Sequence, residues 1–391
     1  MNLLVVAPHY KHFIKEFTEA VSRHTDSINV CVHHNVLSEL SCYLPFSHFR
    51  HIEKFSKRNL VDLSQIPGAV QVHILSSFYL VPDGKNRSLG DKLFDIYCKY
   101  IENHNITFDL IHAHFTWPSG YVGVRLGKKF GVPVVVTIHE NRDWFIKEYK
   151  LKNSKAHYVW KNANALIRVN KKDLPLLKEF NENTYSIPNG FNDRKIYPME
   201  KNECRDLLNI PLEKKVIFGL GNLIERKGFQ FLIQSMKNVV DYRKDVLCII
   251  GGDGPLRDKL QKMIKDLKLE EYVVIAGYIP EDLFNYYLNA ADLFVLPSLS
   301  EGNPVVMFEA LGVGLPFVGT EVGGTPEIIT SSEYGLLCPP ADVECLAEKI
   351  LMALDKTWNR DEIKKYGSQF TWQKIADRTY HIYENLLSEV E

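Results

Sequence analysis

The sequence contains seven cysteines but no Cys-x-x-Cys pair, no apolar stretch long enough to cross a bilayer, and almost no net charge (−1 at pH 7). Each of these absences removes a class of protein. An odd cysteine count without paired spacing argues against a disulfide scaffold or a zinc ribbon. It fits a reducing compartment, where the thiols are expected to behave as small buried hydrophobes. With a balanced charge nothing points to a nucleic-acid partner, whose binders concentrate basic residues, and none is expected. Without a span of about 20 apolar residues, no transmembrane helix is expected. The opening Met1-Asn-Leu-Leu-Val-Val-Ala7 has no basic leader and is expected to enter a strand directly rather than to serve as a signal peptide. The expected location is cytoplasmic. No long-range repeat and no low-complexity tract occurs.

What the chain does have is length and alternation. Its 391 residues, 45% of them apolar, suffice for two domains with separate cores. Apolar strand-like runs alternate with helical patterns, which predicts an α/β fold of parallel sheets with helices on both faces. Strands are expected at 3–7, 28–33, 70–75, 110–114, 134–139 and 165–169, then at 216–219, 246–250, 273–276, 293–296 and 317–318. Helices are expected at 13–23, 93–104, 122–130, 229–240, 256–267, 283–290 and 343–354. A polar stretch rich in Pro, Asn and Gly, 187–201, reads as an interdomain linker. It separates an N-terminal domain, 1–190, from a second, 201–371. The last segment, 372–391, keeps a helical apolar stripe.

The most informative stretch is Ser298-Leu-Ser-Glu301-Gly302-Asn303-Pro304-Val305-Val-Met-Phe-Glu309. It follows a buried strand pattern, Leu293-Phe-Val-Leu296, and Pro304 suits the first position of a helix, where its missing N–H costs nothing. Glu301 is then expected in a loop at a strand's C-terminal end, where ligands bind in open α/β sheets, and Glu309 in the following helix. If all eight intervening residues were helical, the carboxylates would stand about 12 Å apart along the axis. Upstream, Gly219-Leu-Gly221 follows a strand and precedes Arg226-Lys227-Gly228 and a helix. A helix N-terminus with two adjacent cations suits a phosphate. The third position of a dinucleotide fingerprint here is Ile224, not glycine, which disfavours a dinucleotide site.

These motifs carry a resemblance. Glu301-x7-Glu309, Gly312-Val-Gly314-Leu-Pro316, Glu321-Val-Gly323-Gly324-Thr-Pro326-Glu327, Gly221-Asn-Leu-Ile-Glu-Arg226-Lys227-Gly228, Gly251-Gly-Asp253-Gly254-Pro255 and Pro188-Asn189-Gly190 together resemble the signature of family-four retaining glycosyltransferases. The resemblance implies the GT-B architecture: two Rossmann-like domains facing each other across a cleft, with the terminal helix packing back on the N-terminal, acceptor-side domain and the nucleotide-sugar donor on the second. It implies a hexosyl-type transfer from a nucleotide diphosphate sugar to an acceptor hydroxyl, with retention, in glycan, glycolipid or cell-surface polysaccharide biosynthesis. Lys227, expected to face solvent until the donor binds, and Arg226 would grip the diphosphate. Glu309 would accept from the ribose hydroxyls. Glu301, with the backbone of Gly302 and Asn303, would orient the sugar, the N–H groups at the helix beginning near Pro304 would face the diphosphate, and Val305 and Gly221 are further donor-binding candidates. The chain departs from the family pattern at Asn222, where Arg is frequent, at Asn303-Pro304, where Phe-Gly is frequent, and at Ala7-Pro-His9-Tyr10-Lys11, which lacks a glycine pair.

In the first half, Asp109-Leu-Ile-His112-Ala-His114 and Thr137-Ile-His139-Glu140 both close strand patterns. His112 and His114 share a face by the two-residue period, but no third metal ligand is evident, so both are expected to be satisfied histidines. His139 stands where the resembled family places a functional histidine and is the third catalytic candidate, beside Glu301 and Lys227. No metal and no cofactor are expected. No Asp-x-Asp pair occurs to hold a divalent ion on a diphosphate, so activity is expected to survive chelation. The basic segment from Phe49 through Arg50, Lys54, Phe55, Lys57 and Arg58 reads first as a solvated basic loop or helix edge and second as a peripheral contact with an anionic membrane at its inner face, as a lipid-linked rather than a free glycan acceptor would require. Two alternatives stay open: a nucleotide-sugar epimerase on the same fold, and a non-catalytic nucleotide-binding partner of a transferase complex.

Overall fold

The computed structural model describes residues 1–41, 56–80, 86, 88–152 and 154–389. The chain forms two compact units, Met1–Pro188 with Trp372–Glu391, and Asn189–Thr371. The first carries a seven-stranded, wholly parallel sheet in the order β3-β2-β1-β4-β5-β6-β7. Its strands are β1 (Asn2–Ala7), β2 (Ser27–Asn35), β3 (Val70–Ser77), β4 (Leu110–His114), β5 (Val134–Ile138), β6 (Ala165–Arg168) and β7 (Thr184–Ser186). The second has six parallel strands in the order β10-β9-β8-β11-β12-β13. These are β8 (Lys215–Leu220), β9 (Val246–Gly251), β10 (Val273–Gly277), β11 (Leu293–Leu296), β12 (Phe317–Thr320) and β13 (Gly335–Cys338).

Both sheets are buried on both faces, which is why their strands read as unbroken apolar runs. Along β1 the side chains alternate between two cores. Leu4 and Val6 join Ile111, Ala113, Val134 and Val136 on one face, while Leu3, Val5 and Ala7 join Ile28, Val30 and Val32 on the other. The second unit likewise has one core on each face, with Ile217 and Val295 on one side and Phe218, Phe294 and Met307 on the other.

The expected elements are present with small changes at their ends. β7 and β13 were not expected. Both are short edge strands, three and four residues long. The terminal helix Trp372–Ser388 belongs to the first unit. It packs Trp372, Ile375, Ala376, Ile382, Tyr383 and Leu386 into the β1–β2 core, and Trp372 Nε1 donates to Glu16 Oε2 at 2.9 Å. Most of the stretch 187–201 is not a free linker. From Asn189 onward it is held in the second unit: Phe191 N donates to Phe370 O at 3.0 Å and Met199 N to Asn289 Oδ1 at 2.8 Å. Its asparagines and prolines mark turns that pack, rather than a tether.

Five of the six described cysteines are buried and Cys345 is half-buried. Among the described residues no helix is long and apolar enough to cross a membrane. Of the basic segment, residues 49–55 lie outside the described residues. Lys57 and Arg58 open the short helix Lys57–Leu60 with both side chains exposed.

Candidate active site

In the second unit the site is assembled by strand order. β8 lies beside β11 in the sheet, so the loops leaving their C-terminal ends are neighbours. The loop after β8 carries Gly221 and then the single turn Glu225–Lys227. The loop after β11 carries Ser298 to Pro304. Gly228 joins them. It sits at φ +68, and a Cβ there would come within 2.0 Å of the Pro297 carbonyl oxygen, so only glycine allows the Lys-Gly turn to lie against the end of β11. Leu299 N donates to Arg226 O at 2.8 Å across the same seam.

The two cations of that turn converge on Glu301. Lys227 Nζ donates to Oε1 at 2.6 Å, and Arg226 Nη1 donates to Oε2 at 3.0 Å and to the Ser300 carbonyl at 2.6 Å. Ser298 Oγ adds a third donor to Oε1 at 2.7 Å. Glu301 is 5% exposed. Burial alone would raise its carboxyl, but Lys227, Arg226 and these hydrogen bonds hold it below the usual carboxylate range. The Lys227 side chain is only 14% exposed and its stem lies over Gly221, 3.4 Å from where a Cβ would stand. The expectation of a solvent-facing Lys227 is thus corrected. The adjacent carboxylate draws the amine inward, and removing a side chain at Gly221 leaves room for the stem.

The Glu301 loop is fixed from behind by the loop holding Val322-Gly323-Gly324. Gly324 N donates to Gly302 O at 2.8 Å, and a Cβ on Gly323, at φ +55, would meet the Glu301 carbonyl oxygen at 2.2 Å. From the other side Asn189 clamps Asn303: its N–H donates to Asn303 Oδ1 at 3.0 Å and its Nδ2 to Asn303 O at 2.7 Å. This fixes the amide flip of Asn303, whose Nδ2 is buried without a hydrogen-bond partner. Pro304 is the residue before the helix rather than its first, since the helix runs Val305–Gly312 with Pro304 extended at ψ 121. The interval from Glu301 to Glu309 is half loop and half helix, so the single-helix separation does not apply. Glu309 stands in that helix, half-buried.

In the first unit the histidines form a connected series at the C-terminal ends of β4 and β5. Tyr383 Oη bonds His112 Nδ1 at 2.6 Å, and His112 Nε2 bonds Thr137 Oγ1 at 2.7 Å. His114 Nδ1 bonds His139 Nε2 at 2.9 Å, with the two rings stacked. Burial, then the charge of His139, lowers His112 to about 3, and burial with His112 and His9 lowers His114 well below its usual value. Both imidazoles are neutral at physiological pH; His112 is satisfied on both nitrogens as expected, whereas His114 Nε2 is buried without a hydrogen-bond partner. Among the described residues no group of three or more His, Cys, Asp or Glu is arranged to hold a metal ion.

Two residues here went unread in the sequence. Arg168, fully buried, donates to the carbonyls of Ile138 at 2.9 Å and Glu140 at 2.7 Å, the two neighbours of His139. Its other nitrogens pair with the equally buried Asp173 at 2.7 and 3.0 Å. An arginine closing an apolar strand, five residues before an aspartate, was the available signal. Glu140 is raised to about 6, first by burial, and its Oε1 accepts from Thr116 N at 2.6 Å.

Comparison with known proteins identifies the family and the fold. Residues 200–370 match the family model "Glycosyl transferases group 1", and residues 58–195 match "Glycosyltransferase Family 4". The chain is 30% identical over 298 residues to an uncharacterized glycosyltransferase of Methanocaldococcus jannaschii, covering 73% of this chain and 77% of that one. It is 29% identical over 300 residues to a putative teichuronic acid biosynthesis glycosyltransferase, TuaC, of Bacillus subtilis, covering 74% and 73%. The fold is shared with sucrose-phosphate synthase from Thermosynechococcus elongatus (TM-score 0.78, 19% identity, 99% of each chain). It is shared too with Anabaena HepE, solved in complex with UDP-glucose (TM-score 0.72, 19% identity, 98% of this chain and 100% of that one). With two parallel-sheet Rossmann-like units of the GT-B class and family matches along both, the chain belongs to the group 1, family 4 glycosyltransferases, which are retaining enzymes that use nucleotide-sugar donors.

Proposed function

We propose that the second unit holds a nucleoside diphosphate sugar, uridine being the first base to test, and that the sugar passes to a hydroxyl of a glycan or lipid-linked acceptor. The single observation that carries this reading is the convergence of Lys227 and Arg226 on one anion-binding point at the C-terminal edge of β8 and β11. As the bond from the anomeric carbon to phosphate oxygen breaks, negative charge grows on the diphosphate, and two fixed cations stabilise it where it develops. Glu309 accepts from the ribose hydroxyls. Glu301, the backbone of Gly302 and the unpartnered Nδ2 of Asn303 orient the sugar ring. His139, in the first unit, is proposed as a further catalytic residue. The acceptor's proton goes to the departing phosphate, so retention needs no nucleophile from the protein.

TuaC and HepE motivate the choice of a uridine donor and a cell-surface glycan acceptor for the first assays. The test is release of nucleoside diphosphate from UDP-, GDP- and ADP-sugars, each with and without glycan and lipid-linked acceptors. Acceptor-dependent release from one donor series is expected. Donor consumption that ignores every acceptor and yields an epimer would replace the proposal with an isomerase.

A further inference from the structure

Lys227 and Arg226 are not idle cations. Glu301 takes one hydrogen bond from each, at 2.6 and 3.0 Å, and a carboxylate bridging two cations presents the charge and acceptor spacing of one edge of a phosphate. The contact is built rather than incidental: the carboxylate is buried, Ser298 Oγ secures it at 2.7 Å, and the glycine loop at Gly323 packs against its backbone.

We propose that Glu301 is an internal stand-in for the donor's diphosphate. Carboxylate and phosphates compete for the same two cations, and donor binding transfers Lys227 and Arg226 from one to the other, turning Glu301 over to the sugar. The inference rests on the assignment of those cations to the diphosphate. The geometry allows the exchange. Arg226 keeps its bond to the Ser300 carbonyl at 2.6 Å and stays oriented when it leaves the carboxylate, and Ser298 remains a partner for Glu301. The carboxylate then lacks two donors in a buried position, which is costly unless new ones arrive. Sugar hydroxyls supply them and a bare nucleoside diphosphate does not. The device therefore favours the intact donor over the spent product, which helps the product to leave.

Titration calorimetry with UDP, inorganic pyrophosphate and UDP-glucose tests this. Glu301→Gln removes the competing charge at constant shape. It should bind UDP and pyrophosphate about ten-fold tighter than wild type, equivalent to about 1.4 kcal/mol, while its preference for UDP-glucose over UDP falls. Ser298→Ala takes from the carboxylate the one donor it keeps after the exchange, so it should weaken UDP, by less than ten-fold, and UDP-glucose by less still, and it carries the test should Glu301→Gln fail to fold. UDP affinity unchanged or weakened in Glu301→Gln, or unchanged in Ser298→Ala, with Lys227→Ala still losing it, overturns the stand-in role and leaves the diphosphate assignment in place. Undiminished UDP affinity in Lys227→Ala overturns both.

Discussion

His112 makes the fold acid-sensitive by an amount the structure allows to be worked out. Its side chain is fully buried, bonded by Tyr383 on one nitrogen and Thr137 on the other, with His114 and His139 alongside. Folding lowers it from 6.5 to about 3, so between those values the unfolded chain binds a proton that the folded chain refuses. Stability therefore rises with pH through this window and is lost as pH falls below about 6.5. At about pH 5 the unfolded imidazole gains roughly 1.5 units of protonation free energy, or about 2 kcal/mol, and any folded value well below 5 gives the same figure. Urea unfolding of wild type and His112→Gln at pH 7 and pH 5 is the assay. The amide can still bond Tyr383 or Thr137 but does not titrate, so the variant should be less stable at pH 7 yet lose about 2 kcal/mol less than wild type on acidification. Equal acid losses in the two proteins would show that His112 is not held neutral by its burial.

Lys227→Ala should lower turnover about 10²–10³-fold, the loss of about 2.7–4 kcal/mol typical of one positioned donor to a developing anion, and near-normal steady-state rates would contradict its role. Glu309→Ala should weaken bare UDP and the UDP-sugar alike, by about 1.5–3 kcal/mol in calorimetry, whereas loss for the sugar donor alone would show the nucleotide lying the other way round. Arg168→Leu leaves Asp173 charged and buried, with Arg142 3.0 Å from its other oxygen, so a urea midpoint corresponding to a loss of about 3–5 kcal/mol is expected. A change under 1 kcal/mol would mean that the pair contributes little.

The fold was legible because parallel strands buried on both faces leave continuous apolar runs, such as Leu3 to Ala7 and Leu293 to Leu296. Edge strands β7 and β13, three and four residues long, are too short to stand out as such runs. Within the site, residue types were readable from motif spacing but their partners were not. Lys227 and Glu301 are 74 positions apart and meet only because β8 pairs with β11, a neighbour relation that no local pattern encodes. The same holds for Asn189 on Asn303 and for Tyr383 on His112, where segments far apart in sequence close on one another. Arg168 was missed because a buried arginine reads as an interruption of its strand until its carbonyl and carboxylate partners are seen.

The central claim, that the donor nucleotide is held by the loops following β8 and β11, is tested most directly by amide hydrogen exchange on the whole protein with and without saturating UDP. Slowed exchange is predicted in two segments of the second unit, 221–228 and 298–309, and to be lost from both in Lys227→Ala. Protection confined to the first unit, or none in either segment under saturating nucleotide, would contradict it.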